Sequence, residues 1–161
     1  MIYGAHFTYN NGKYIDAYFG VNSDNVIEYA KEVARGLDTK LFKYLAHPDL
    51  FMYRYINDKG ELRMFDDNAY KASQIIIDAC ARNDIIMEMN VGGIGKGANK
   101  LADGRYEYGY PRTEFWSLVS KNKNIKVAIG RDAHDPNALI SDNLEKIIKM
   151  ANDLGIKIIN M

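Results

Sequence analysis

The sequence predicts a single α/β domain built on a parallel sheet, and three observations lead to that prediction. Short apolar runs alternate along the chain with longer stretches whose apolar residues recur at the 3.6-residue period of a helix. This alternation is typical of βα units, in which a helix connects each parallel strand to the next. The chain has 161 residues, 47% of them apolar, so it is long enough for one compact domain, residues 1–161, with a buried core.

The predicted elements follow one another in a regular order. Short apolar runs indicate five strands, at residues 1–7, 41–46, 85–89, 125–129 and 156–159. Helical periodicity indicates four helices between them, at residues 23–37, 68–83, 113–122 and 141–154. Ser23 or Asp24 can cap the first helix, Pro111 favours the start of the third, and Gly155 ends the last.

The composition argues against nucleic acid and membranes as partners. Lys and Arg number 21, as do Asp and Glu, so a formal net charge of zero gives no attraction for a polyanion. No apolar run approaches the ~20 residues of a membrane span, and the first residues lack the pattern of a signal peptide. The one cysteine, Cys80, fits a reducing compartment and a place in the core. The sequence therefore predicts a cytoplasmic protein.

The histidines mark a predicted metal site. His6 and His47 close the first two strands, Glu88 lies near the end of the third, and Asp132 and His134 follow the fourth. The carboxyl ends of parallel strands meet at one edge of a sheet, so these side chains should converge. A single histidine at a strand end is usually structural, but three such histidines with an Asp-x-His pair favour a metal. Imidazole and carboxylate ligands suit a divalent transition metal: Zn, Mn or Fe.

Two long loops, residues 49–67 and 91–110, follow predicted strands where α/β folds place active sites. Their arginines can bind phosphate through a bidentate fork or can be solvated surface residues: Arg54, Arg63, Arg105 and Arg112. Glycine-rich residues 92–97 do not match a Walker loop, since Asn90 and Gly97 replace the required Gly and Ser or Thr. They predict a mobile loop over the site, from which Lys96 can attract phosphate.

Aromatic residues are numerous in the same loops. Tyr53, Tyr55 and Tyr108 can line a substrate pocket, whereas Trp116, in the helix after Pro111, is expected in the core.

Five segments together resemble the histidinol-phosphatase branch of the PHP family of metal-dependent phosphoesterases. Tyr-Gly-Ala-His-Phe at 3–7 resembles the family's Gly-Ser-Val-His strand, and Leu-Ala-His-Pro-Asp-Leu at 45–50 its Gly-His-Pro-Asp-Leu motif. Met-Glu-Met-Asn at 87–90 is similar to Glu-Ile-Asn, and Tyr-Pro at 110–111 matches a Tyr-Pro segment. Ile-Gly-Arg-Asp-Ala-His-Asp-Pro at 129–136 resembles Gly-Ser-Asp-Ala-His. Order and spacing agree over nearly the whole chain.

The resemblance implies a distorted (β/α)7 barrel that holds up to three metal ions and hydrolyses a phosphate monoester. The implied substrate is L-histidinol phosphate, converted to L-histidinol and phosphate in histidine biosynthesis. The residues that match metal ligands are His6, His47, Asp132 and His134, with Glu88 as a further candidate. Asp132 and His134 also carry the catalysis, together with phosphate-binding arginines at Arg54 and Arg112. Asp49 is expected to orient His47.

Two departures from the family pattern open alternatives. The family's first His-x-His strand is absent before His6, and Arg131 stands where the family usually has Ser. The chain is therefore expected to be the C-terminal portion of a barrel, completed by a homo-oligomer or by a partner chain. One alternative is a truncated or degenerate fragment that binds metal with little catalysis. Another is a PHP phosphoesterase that acts on a different small phosphate or on a nucleotide.

Overall fold

A computed structural model describes residues 1–10, 12–131 and 143–159. The predicted ligands Asp132 and His134 lie outside these described residues. In chain order the elements are β1 (Ile2–Gly4), β2 (Phe7–Asn10), β3 (Lys13–Asp16), α1 (Val26–Asp38), β4 (Tyr44–Ala46), a 3-10 turn (Leu50–Met52), α2 (Asp67–Arg82), β5 (Ile86–Asn90), α3 (Val91–Gly95), β6 (Ala98–Lys100), β7 (Tyr106–Tyr108), α4 (Thr113–Val119), β8 (Lys126–Gly130) and α5 (Asn143–Asp153).

The central sheet has four parallel strands in the order β1-β4-β5-β8. The order follows the chain without a reversal, as in βα arrangements wound in one direction. Gly4 pairs with Ala46, and Asn90 pairs with Gly130, so β1 ends level with β4 and β5 ends level with β8, while β5 extends two residues beyond β4. The predicted α/β fold with a parallel sheet is confirmed, whereas the closure of a seven-stranded barrel stays a prediction.

The number of elements differs from the sequence prediction. The fifth predicted strand, residues 156–159, is reduced to a parallel bridge between Ile158 and Val127, with Ile159 N donating to Val127 O at 2.8 Å. The described residues contain five helices rather than four, because the glycine-rich segment forms the short helix α3. The same segment was expected to be a mobile loop. Two antiparallel hairpins are also present. The hairpin β2–β3 begins at the last residue of the first predicted strand, and β6–β7 lies within the predicted loop at residues 91–110.

Helices α1 and α2 differ in whether a side chain caps their first turn. Asn25, rather than Ser23 or Asp24, precedes α1, and its Oδ1 accepts a hydrogen bond from Asn22 N at 2.9 Å. Asp66 caps α2 in the ordinary way, since its Oδ1 accepts from Ala69 N at 2.8 Å. The apolar stripes of both helices are buried and pack together against the sheet.

The two faces of the sheet have different environments. Leu45 and Met87 point into the core with the helices, as their place in the apolar cluster shows. On the other face, Ile2 is 66% exposed, and Tyr44 and Ile86 line an open groove of about 490 Å³. In the described part of the chain this groove is not covered by a helix, and it leaves apolar surface at the edge strand β1.

No helix in the described ranges combines the length and the apolar character that crossing a bilayer requires.

Candidate functional site

Two histidines meet at the carboxyl edge of the sheet. His6 follows β1 and His47 follows β4, and the level ends of these strands bring the two imidazoles edge to face, with ring centroids 4.8 Å apart. Gly4 leaves the space for them, because a Cβ there would lie 3.2 Å from His6 Nε2. His47 has a φ of 34°, a conformation rare for a non-glycine residue. Its carbonyl accepts a hydrogen bond from Leu50 N at 3.0 Å, which starts the 3-10 turn.

Glu88 supports His47 from the neighbouring strand. Its side chain is buried, and Oε2 accepts a hydrogen bond from His47 N at 3.1 Å while Oε1 accepts from Asn90 Nδ2 at 3.3 Å. The carboxylate lies over Gly130 in β8, where an added Cβ would overlap Oε1. Burial and the negative charge of Glu88 together raise the pKa of Tyr44, which lines the open groove beside it. Glu88 therefore fixes the backbone from which His47 projects.

The metal ligands predicted from the sequence are only partly described. His47 contacts His6 through its ring and Glu88 through its backbone N, but no group of three or more His, Cys, Asp or Glu side chains in residues 1–10, 12–131 and 143–159 is arranged to hold a metal ion. Glu88 as a direct ligand stays a prediction, as do Asp132 and His134.

Three tyrosines connect the histidine pair to the outer part of the site. The Tyr18 ring lies 5.6 Å from His6, and the Tyr110 ring lies 6.3 Å from His47. Both contact Tyr53, at centroid distances of 5.8 and 5.9 Å. The three rings form a continuous aromatic wall that leads away from the imidazoles, with Tyr53 at its centre.

The other aromatic residues considered from the sequence have structural places. Tyr55 is fully buried and donates its hydroxyl hydrogen bond to Asp66 Oδ1 at 2.6 Å, so it does not line the site. Tyr108 is half-buried in β7. Trp116 is fully buried in the core, as expected from its place in α4.

Cations surround Tyr53. Lys96 Nζ lies 5.4 Å from the centre of the Tyr53 ring and 5.9 Å from that of Tyr18. The guanidinium of Arg63 lies 5.8 Å from the Tyr53 ring, and its Nε donates to Tyr53 O at 2.8 Å. Arg54 stacks over Phe19 at 5.3 Å, and Phe19 in turn contacts Tyr53. We call Arg54, Arg63 and Lys96 the basic cluster.

The charges of this region influence one another. Burial lowers the pKa of Arg63, and the positive charges of Arg54 and Arg112 lower it further.

Arg112 is buried rather than solvated. Its side chain is fully buried, and Nε and Nη2 donate to the two carboxylate oxygens of Glu114 at 2.5 and 3.0 Å. Nη1 has no hydrogen-bond partner in the described residues. A buried guanidinium donor without a partner is rare in folded proteins, and a bound anion is one group that would satisfy it. The interpretation of Arg112 as a solvated surface residue is therefore wrong.

Asp49 holds Arg112 instead of orienting His47. Its Oδ2 accepts hydrogen bonds from Arg112 N at 2.6 Å and from Trp116 Nε1 at 3.0 Å, and its Oδ1 has no hydrogen-bond partner in the described residues. The 3-10 turn that follows Asp49 directs the carboxylate toward the start of α4. Burial raises the pKa of Asp49 to about 7, against the lowering effect of these hydrogen bonds.

Helix α3 carries Lys96 to the aromatic wall. Asn90 caps the helix, with Oδ1 accepting from Gly93 N at 3.3 Å. Gly93 lies directly against the Tyr110 carbonyl, where a Cβ would overlap that oxygen. The glycines therefore allow close packing, and Lys96 follows the last residue of the helix. Arg105, in contrast, is paired with acidic side chains: Asp103, Glu107 and Glu114.

No protein-family model and no curated protein sequence gives a significant match to this chain.

Proposed function

We propose that this chain hydrolyses phosphate monoesters with the help of a divalent transition metal. The observation that carries the proposal is the edge-to-face contact of His6 with His47 beside an aromatic wall surrounded by cations. A pair of imidazoles offers metal ligands, and the nearby cations offer partners for a phosphoryl group. L-histidinol phosphate is the proposed substrate, on the strength of the sequence resemblance to PHP histidinol phosphatases.

The donor set fits a transition metal. His6 and His47 supply adjacent imidazoles, and Asp132 and His134 would complete the set from the segment after β8. Zn, Mn and Fe all accept mixtures of imidazole and carboxylate. When bound, such an ion acts as a Lewis acid toward water and toward the phosphoryl oxygens.

The residues of the chain have distinct proposed roles around that ion. Arg112 donates from Nη1 to a phosphoryl oxygen, and the negative charge carried by the equatorial phosphoryl oxygens in the transition state strengthens this contact. Glu114 keeps the guanidinium in place, Asp49 keeps the backbone of Arg112 in place, and Glu88 keeps the backbone of His47 in place. The tyrosine wall limits the access of bulk water from one side. Arg54, the other predicted phosphate contact, lies further out on Phe19.

Turnover of p-nitrophenyl phosphate tests the proposal. We expect Mn²⁺ to stimulate release of p-nitrophenol, EDTA to abolish it, and His47→Ala to remove the stimulation. Lys121→Met, which alters an exposed lysine after α4, is the matched control and should behave like the wild type. Turnover that is insensitive to EDTA, or none at saturating metal, would contradict the proposal.

A second candidate is a PHP-like fragment that binds metal but turns over little substrate by itself. The open apolar groove and the edge strand β1 favour this candidate, since they leave surface that a second chain could cover. The chain would then reach full activity with a homo-oligomer or partner that completes a barrel. Metal binding without turnover of any phosphate monoester would support this candidate over the first.

A further inference from the structure

We propose that the basic cluster of Arg54, Arg63 and Lys96 binds a second anionic group of the substrate, so that the preferred substrates are phosphate monoesters bearing an additional carboxylate or phosphoryl group. The inference rests on the proposed function for the role of the phosphoryl group at Arg112. It deepens phosphate-monoester hydrolysis by stating the substrate class, and it favours a different small phosphate over L-histidinol phosphate, which carries an ammonium group and no second anionic group.

The positive charges of the basic cluster are not paired with carboxylates among the described residues. None of its three side chains lies within ion-pairing distance of a carboxylate among the described residues. The other arginines of the same loops are paired, Arg105 with three acidic residues and Arg112 with Glu114. Three formal positive charges therefore stand together without a counter-charge at the outer end of the site.

Two of the three cations share one aromatic ring. Lys96 and Arg63 both lie within 6 Å of the centre of the Tyr53 ring, at 5.4 and 5.8 Å. Arg63 is fixed further by the hydrogen bond from its Nε to Tyr53 O, while its terminal nitrogens make no hydrogen bond to the described residues. Tyrosine rings stabilise such cations only modestly, so a bound anion relieves repulsion that the protein itself leaves uncompensated.

One phosphoryl group does not account for all of this charge. A phosphate monoester carries about two negative charges at neutral pH, and Arg112 with the metal ligands already faces that group. The three additional cations match a further anionic group beside Tyr53, the one tyrosine of the wall for which no contact with either histidine is recorded among the described residues. A long polyanion is disfavoured, because the chain as a whole has a formal net charge of zero.

Three ligands of equal chain length test the proposal: propyl phosphate, 3-phosphooxypropanoate and propane-1,3-diol bisphosphate. Affinities are measured by calorimetry on EDTA-treated protein at low ionic strength, so that the result does not depend on hydrolysis. We expect the carboxylate compound, the bisphosphate or both to bind at least about tenfold more tightly than propyl phosphate, and added NaCl to reduce that preference. The two anionic compounds distinguish a carboxylate from a second phosphoryl group.

Variants show which residues cause the preference for a ligand with a second anionic group. Lys96→Met removes an exposed charge, and Arg63→Met removes the charge next to Tyr53; each should reduce the preference at least about fivefold. Lys121→Met, toward the amino end of β8, is the matched control and should retain it. Equal affinity for the three ligands, failure of the anionic pair to bind, or an unchanged preference in Lys96→Met would overturn the inference. Mn²⁺-dependent turnover, measured separately, reports on the proposed function itself.

Discussion

Replacing Asp49 by Ala tests whether this buried carboxylate holds the loop after β4 against the start of α4. The substitution removes the acceptor for two buried donors, Arg112 N and Trp116 Nε1. A buried donor left without a partner costs about 1–3 kcal/mol, so the gross loss is roughly 2–6 kcal/mol for the pair. Burial also disfavours the charged carboxylate, as the raised pKa of Asp49 shows. Because Ala relieves that penalty, we expect a net loss of about 2–3 kcal/mol.

Urea denaturation measures this loss as a change in the free energy of unfolding. Asp49→Asn is the matched control, since its amide oxygen can accept both hydrogen bonds while the charge is removed. We expect Asp49→Asn to stay within about 1 kcal/mol of the wild type. An Asp49→Ala protein within about 0.5 kcal/mol of the wild type, the range of an ordinary surface change, would refute the anchoring role.

Three further predictions follow from the site and the sheet. Gly130→Ala should displace the Glu88 carboxylate and destabilise the protein by about 1–3 kcal/mol in urea denaturation. Gly95→Ala, whose Cβ would make only ordinary contacts, is the control and should not destabilise the protein by this amount. Arg112→Ala should lower turnover of p-nitrophenyl phosphate roughly tenfold to a hundredfold with metal content unchanged, and Arg54→Ala should lower turnover less. Unchanged kinetics in both variants would exclude a contact between either arginine and the phosphoryl group. Light scattering should show self-association through the open groove and edge strand β1; a stable, fully active monomer would contradict the incomplete-barrel hypothesis.

Much of the sheet could be predicted from the sequence because strand and helix periods are local signals. The alternation of apolar runs with helical segments predicts the parallel order. Because His6 and His47 lie at the ends of two such runs, their positions at the edge of the sheet could also be predicted. The β2–β3 hairpin was missed, although the Asn-Gly pair at residues 11–12 is a typical hairpin turn signal. The terminal strand at residues 156–159 forms only one bridge, which shows that an apolar run alone does not determine how far pairing extends.

The remainder of the site depends on contacts between residues far apart in the chain. The two donors to Asp49 are more than sixty residues away, so spacing gave no indication of them. The glycines of α3 were interpreted as a source of mobility, whereas Gly93 serves close packing on Tyr110. Among the four loop arginines, the family resemblance selects Arg54 and Arg112 from the sequence. Burial and pairing in the structure separate Arg112 and Arg63 from Arg105.

The central claim is that His6 and His47 belong to a functional transition-metal site, and metal content measures this most directly. The purified chain is reconstituted separately with Zn²⁺, Mn²⁺ and Fe²⁺, and each sample is freed of excess ion before elemental analysis. We expect at least one of these ions to be retained, fewer than three per chain, with a reduced amount in His47→Ala and in His134→Ala. Lys121→Met should retain the wild-type amount. A wild-type chain without transition metal after reconstitution, or an unchanged metal content in both histidine variants, would contradict the claim.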